Sequence, residues 1–197
     1  ASTADLLQRT IVALQWEFAM KDLGPLHHFL GITAESRPQG LFLHQRQYAV
    51  DILERAGMSD CKPCSTPVNT QAKLSEDDEP PVADATSYRS LTGALQYLTF
   101  SRPDITYTIQ QVCLHMHTPW EPHLTALKRI LRYLRSSLDY DLLIRPSPTS
   151  ELVVYTDVDW ARCLDTRRST FSYAVFLGAN VISWAAKRQL VVSRSSA

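Results

Sequence analysis

Asp157 and Asp159 stand two residues apart in the stretch ELVVYTDVDWA, residues 151–161. Residues two apart on an extended chain point the same way, so both carboxylates can share one face. Such a pair suits a divalent-metal site, because Mg²⁺ takes oxygen ligands and is held by one or two carboxylates plus substrate phosphate oxygens. The plainer alternative is that a strand reaches the surface here and its acids are solvated. Either way the positioning falls to Leu152, Val153, Val154 and Tyr155, an apolar, β-branched run that reads as a buried strand.

A second chemistry lies in the cations. Between His123 and Arg135 come Lys128, Arg129, Arg132 and Arg135 with no acid among them. A stripe of this kind can track nucleic-acid phosphates electrostatically, without reading sequence. It can also be an ordinary solvated helix face. Arg167, Arg168, Lys187 and Arg188 are further cations that could join it. The opposite bias lies at Glu76, Asp77, Asp78, Glu79 and Asp84, where no Lys or Arg intervenes. With 20 basic and 20 acidic residues the formal net charge is zero, so phosphate binding would be weak and salt-sensitive.

Other chemistries find less support. The four cysteines are too few and scattered for a disulfide framework, which points to a reducing, intracellular setting rather than secretion. Cys61 and Cys64 flank Pro63, and no second pair follows at zinc-like spacing. Cys113, His115 and His117 do not face one another on a helix. Ser193, Ser195 and Ser196 have no His/Asp constellation, and nothing pairs His27 or His28 with a nucleophile. No apolar run approaches the roughly 18 residues of a membrane helix, and no signal peptide opens the chain. The first residue is Ala1 rather than Met, which suggests a piece of a longer protein.

At 197 residues, 45% hydrophobic and 20% charged, the chain has room for one or two globular domains. Residues 5–19 carry Leu7, Ile11, Leu14 and Phe18 at helical spacing, and Gly24 and Pro25 then break the pattern. HHFLGITAES and LFLHQ read as two strands of a hairpin around RPQG. A compact helix over 47–56 is closed by Gly57, which suits the left-handed C′ position. Residues 61–87, with four prolines and the acidic cluster, read as an extended, partly mobile connection. Three helices follow, marked by Tyr88, Leu91, Leu95 and Leu98, by Ile105, Ile109, Val112 and Met116, and by Leu124, Leu127, Ile130, Leu131 and Leu134. After the linker IRPSPTS come three strands, the last two turning at Gly178, Ala179 and Asn180. Trp16, Phe18, Tyr97 and Tyr107 sit on helical stripes and are expected in the core. Trp160 and Trp184 are expected to pack within the last layer. The fold class is α+β: a mostly helical body with a β-hairpin, then a three-stranded antiparallel sheet.

MKDLGPLHHFLGI, GLFLHQRQYAVDILERAGM, CKPCSTP, YRSLTGALQYLTFSRPDI, LKRILRYLRSSLDY, YTDVDWA and TRRST…ISWAAKRQ…SRSSA, in this order, resemble the copia-type retrotransposon Pol polyprotein over essentially the whole chain. The resemblance implies that residues 1–60 comprise a palm-end helix, a primer-grip hairpin and a thumb-like helix. It implies an extended connection over 61–87 and a helical connection region over 88–145. Residues 151–197 would be the opening sheet of a ribonuclease H-like domain, incomplete as it stands. Asp157 then falls at the first Mg²⁺-binding carboxylate, with Asp159 in the family's Asp-x-Asp-Trp phrase. The polymerase's Tyr-x-Asp-Asp motif would lie upstream of Ala1, and the acidic helix supplying the next nuclease carboxylate would follow Ala197. Arg162 replaces a usual Gly, and Phe171-Ser172 a usual Ser-Gly pair. The expectation is a catalytically incomplete reverse transcriptase/ribonuclease H fragment that binds no Mg²⁺ stably and retains RNA/DNA-hybrid binding. The alternative is a co-opted, transposon-derived protein acting through protein partners or self-association in cytoplasm or nucleus, away from membranes.

Overall fold

The structure is a computed structural model and describes residues 3–68, 80–160 and 167–189. Among the described residues, five helices and two antiparallel sheets, one of four strands and one of three, make an α+β fold. The acidic cluster at 76–79, together with Arg162, Ser193, Ser195 and Ser196, lies outside the described residues.

The first helix, α1 (Ala4–Glu17), starts at Thr3, whose hydroxyl accepts from the Leu6 amide at 3.3 Å. None of its residues is buried, and Phe18 just after it, expected in the core, is exposed. Periodicity specifies that a helix has an apolar face, not that a partner covers it. Trp16, expected in the core, is 92% exposed.

HHFLGITAES is two strands rather than one. β1 (His28–Phe29) folds back on β2 (Ile32–Arg37) because Leu30 and Gly31 both adopt positive φ, 48° and 73°, the geometry of a tight hairpin turn. β2 continues through Pro38 and Gln39 into β3 (Gly40–His44), with Arg37 opposite Gly40. A third partner joins from far along the chain: β4 (Leu142–Ile144) pairs with β3, completing the order β1-β2-β3-β4. Gly40 permits this approach, since a Cβ there would sit 2.0 Å from the Ile144 carbonyl oxygen.

The core lies among the next four helices, α2 (Arg46–Arg55), α3 (Ala85–Leu98), α4 (Pro103–Cys113) and α5 (Glu121–Ser136). α2 ends as the sequence indicates: Gly57, at φ 61°, donates to the Glu54 carbonyl and Met58 to that of Leu53. Asp84 caps α3 by accepting from the Ser87 amide at 2.8 Å. Ile52, Leu53, Tyr88, Leu95, Leu98, Ile105, Ile109, Val112, Leu127, Ile130, Leu131 and Leu134 fill the centre, so the apolar stripes of α3, α4 and α5 pack as their spacing predicts. Buried Tyr88 donates its hydroxyl to the Val112 carbonyl at 2.8 Å, joining α3 to α4.

The last sheet comprises β5 (Leu152–Asp159), β6 (Thr170–Leu177) and β7 (Asn180–Arg188), all antiparallel. β7 packs on α4, and Trp184 donates Nε1–H to the Thr99 carbonyl at 2.9 Å. The linker is anchored too, because the Asn180 side chain exchanges two hydrogen bonds with the Arg145 backbone, at 2.7 and 2.8 Å. β5 is not the buried strand its composition suggests. It is the edge of the sheet furthest from α4, and Leu152, Val154, Tyr155 and neighbouring Trp160 are exposed.

Candidate nucleic-acid interface

α5 brings the four predicted cations onto one helix, and the structure gives three of them a use that sequence does not show. Arg129 donates from Nε to the Thr66 carbonyl at 3.2 Å and from Nη2 to the Thr66 hydroxyl at 2.7 Å. Arg132 donates Nε–H to the Lys62 carbonyl at 2.7 Å, and Arg135 donates Nε–H to the Ser59 carbonyl at 2.6 Å. The three arginines recur every three residues, so they climb one side of the helix and meet successive turns of an antiparallel segment. The Cys64 amide donates to the Arg132 carbonyl at 3.3 Å and the Ser136 hydroxyl to the Cys64 carbonyl at 2.7 Å. Residues 59–66 are therefore laced to α5, and the predicted loose connection is held at this end.

Its far end is held as well. Pro81 bridges to Trp120, the Val82 amide donates to the Pro119 carbonyl at 2.9 Å, and Val82 is buried.

Among the described residues the Nη groups of Arg132 and Arg135 make no hydrogen bond, and Lys128 is exposed with no partner. A guanidinium anchored through Nε keeps its remaining N–H donors for an oxyanion. Arg167 and Lys187 are also exposed. Lys187 pairs with Phe171, which puts it on the sheet face turned away from α4.

Asp157 and Asp159 pair with Ser172 and Thr170, so they share a face of the sheet, the one turned to α4. Asp157 is exposed and has no hydrogen bond or ion pair among the described residues. Asp159 is half-buried and accepts a hydrogen bond from the Tyr107 hydroxyl on α4. Between sheet and helix lies an open cleft of about 280 Å³ lined by Tyr107, Tyr155, Asp157, Ser172, Trp184 and Ala186. Its aromatic walls place Tyr107 and Trp184 half-buried at the seam rather than deep in the core. Mg²⁺ needs several anionic oxygens around it. Among the described residues no group of three or more His, Cys, Asp or Glu is arranged for a metal. The carboxylates here do not by themselves fit that ion.

Sequence reasoning missed a deeply buried charge. Arg102, 2% exposed, clamps Asp104 bidentately at 2.9 and 2.7 Å and donates to the Ser137 carbonyl and hydroxyl at 2.9 and 2.8 Å. Tyr133 donates to Asp104 at 2.9 Å. Burial alone would push the Asp104 carboxyl up, but the Arg102 hydrogen bonds and charge hold it below the ordinary range. Burial, with Asp104 beside it, pushes the Tyr133 hydroxyl up to about 12. Next to this cluster the buried Ser101 hydroxyl meets Gln45 and Asp141, each at 3.0 Å. The phrase SRPD could have signalled it, since an Arg and an Asp two residues apart flank the proline that opens α4.

A reverse transcriptase (RNA-dependent DNA polymerase) family model matches residues 2–70, which span α1, the hairpin and α2. An uncharacterized mitochondrial protein of Arabidopsis thaliana is 47% identical over 99% of this chain and 81% of its own length. The retrovirus-related Pol polyprotein from the Arabidopsis transposon RE2 is 44% identical over 97% of this chain. That from transposon TNT 1-94 of Nicotiana tabacum is 35% identical over 93%. The chain covers 13% of the first polyprotein and 14% of the second. No solved structure matches it. The family match and the relatives together define a retroelement protein of the reverse-transcriptase class. More particularly, the chain belongs to the copia-type retrotransposon Pol polyprotein family.

Proposed function

We propose that the chain is the part of an intracellular Pol polyprotein that joins reverse transcriptase to ribonuclease H, and that its own residues hold RNA/DNA hybrid without performing phosphoryl transfer. Residues 1–60 take the palm-end, primer-grip and thumb-like roles, and 61–87 form the connection. Residues 88–145 provide the helical connection region, and 151–197 open the ribonuclease H-like sheet. One observation carries the binding: Lys128, Arg129, Arg132 and Arg135 form a cationic row on α5 whose guanidiniums are oriented by the backbone of 59–66. Fixing a long side chain beforehand removes part of the entropy that ordering it on a ligand would cost. The interactions expected are with phosphates and carry no sequence information. Asp157 retains the position of a metal carboxylate in this reading, and Mg²⁺ would need oxygen ligands from outside the described residues.

The test is fluorescence anisotropy of an RNA/DNA hybrid, at low and then physiological salt. Binding should fall as salt rises, and Lys128→Glu should weaken it several-fold while leaving the melting midpoint unchanged, because the Lys128 side chain supports nothing inside the fold. For every phosphate that a variant no longer neutralises, the salt slope should fall by about 0.7–0.9. Affinity indifferent to salt, or no binding at low salt, overturns the proposal.

A further inference from the structure

Three Ser/Thr-Pro steps lie among the described residues: Thr66-Pro67, Thr118-Pro119 and Ser147-Pro148. Proline-directed protein kinases modify the hydroxyl of such a step where the chain is exposed and irregular. Thr66 meets both conditions, being exposed in a stretch, 61–68, that is neither helix nor strand. Thr118 is exposed too, but Pro119 is buried and its carbonyl accepts from the Val82 amide. Ser147 is half-buried. Of the three, Thr66 alone lies against a cation among the described residues. Arg129 donates Nη2–H to its hydroxyl at 2.7 Å and Nε–H to its carbonyl at 3.2 Å. The surrounding charge is of one sign. Residues 61–68 hold Lys62 and no acid, and residues 122–135 hold Lys128, Arg129, Arg132 and Arg135 and no acid.

We infer that Thr66 is a phosphorylation site whose phosphate closes the α5 cation row to nucleic acid. The kinase transfers the γ-phosphoryl group of a nucleoside triphosphate. The Thr66 Oγ1–P bond forms, the bond from that phosphorus to the β,γ-bridging oxygen breaks, and the nucleoside diphosphate leaves. The hydroxyl proton passes to the kinase's catalytic base. The product carries a charge of about −1.5 to −2 and three strong acceptor oxygens. The Arg129 Nη2–H that now meets a hydroxyl then meets a phosphate oxygen, a stronger, charge-assisted bond. Arg132, three residues on, lies on the same side of α5 with its Nη donors still open among the described residues. The chain thereby supplies from within the anion that the row otherwise takes from nucleic acid, and the added charge repels backbone phosphates. Closure of the row rests on the reading of α5 as a hybrid-binding surface; the modification and its pairing with Arg129 do not.

The full chain is incubated with a proline-directed kinase and ATP, and the modified position is read by peptide mass spectrometry. Phosphate on Thr66 is expected, and Thr66→Val should lose it. Phosphorus-31 NMR should then place the second ionisation of this phosphate at lower pH than in the isolated 61–68 peptide, because neighbouring cations favour the dianion. Arg129→Gln should return it toward the peptide value. In fluorescence anisotropy at low salt, the phosphoprotein should bind RNA/DNA hybrid several-fold more weakly than the unmodified chain. A chain left unmodified at position 66, or a phosphate that titrates as it does in the peptide, overturns the inference. So does equal hybrid affinity before and after modification. No hybrid binding by the unmodified chain, with the phosphate still ionising early, sinks the hybrid reading and the closure with it, and upholds the site.

Discussion

Asp141 shows how one buried residue sets a pH response. It lies just before β4, accepts from Ser101 at 3.0 Å, and is faced by Arg102, the Gln45 amide and His44. Glu35, Arg37, Arg46 and Asp139 line the same small cleft. Burial pushes its carboxyl up to about 6 from an ordinary 3.8, although Ser101 and Arg102 pull the other way. The folded chain therefore holds this proton where the unfolded chain has lost it, across roughly pH 4–6. Stability from this group is full below that window, declines as pH rises through it, and is flat above. Asp141→Asn should remove the decline and, at pH 7, gain on the order of 1–2 kcal/mol after allowance for solvent screening. Urea unfolding of both proteins at pH 4.5 and pH 7 checks this. A parallel pH dependence in the variant would show that the slope comes from elsewhere.

At the scale of elements, α1 and α3 test what an apolar stripe is worth. Both are fourteen residues long with apolar residues at helical spacing. Leu95 of α3 is fully buried, whereas Trp16 of α1 is almost fully exposed. Leu95→Ala should cost about 3 kcal/mol, and Trp16→Ser less than about 0.5 kcal/mol. Thermal melts followed by circular dichroism read both, and a large loss from Trp16→Ser would mean that α1 packs on something. The same contrast explains what the sequence made legible. The stripes of α3, α4 and α5, the glycine stop of α2 and the RPQG turn were readable because side-chain type encodes them locally. The lacing of 59–66 was not, because its acceptors are chiefly backbone carbonyls, which every residue carries. Nor was β4, since three apolar residues ahead of Arg145 and Pro146 look alike in a strand, a loop or a helix end. In the candidate interface the cations were legible and their internal partners were not. Asp157 and Asp159 were readable as a same-face pair, but the Tyr107 hydroxyl on Asp159 comes from a residue fifty-two positions away.

Over the whole molecule, stability should be graded rather than uniform. The helices from α2 to α5 share one buried cluster, while α1 contributes nothing to it. In native-state hydrogen exchange, amides of α3 and α5 should open only with global unfolding, and those of α1 should exchange almost as a free peptide does. Equal protection of α1 would contradict this grading. Protection in the four-stranded sheet should fall between these limits, because apart from buried Ala34 its strand residues are half-buried or exposed.

The pairing of β3 with β4 also sets an order in time. Leu43 lies opposite Leu142 and Leu41 opposite Ile144, with α2, α3, α4 and α5 between the two strands. A ribosome adding about 5–20 residues per second would deliver β4 roughly 5–20 s after β3. Through that interval the nascent hairpin presents an unpaired strand to whatever surrounds it. The last sheet-closing pairing waits on a helical body that must first bring the two ends together, so a chaperone that shields β3 would act before translation ends.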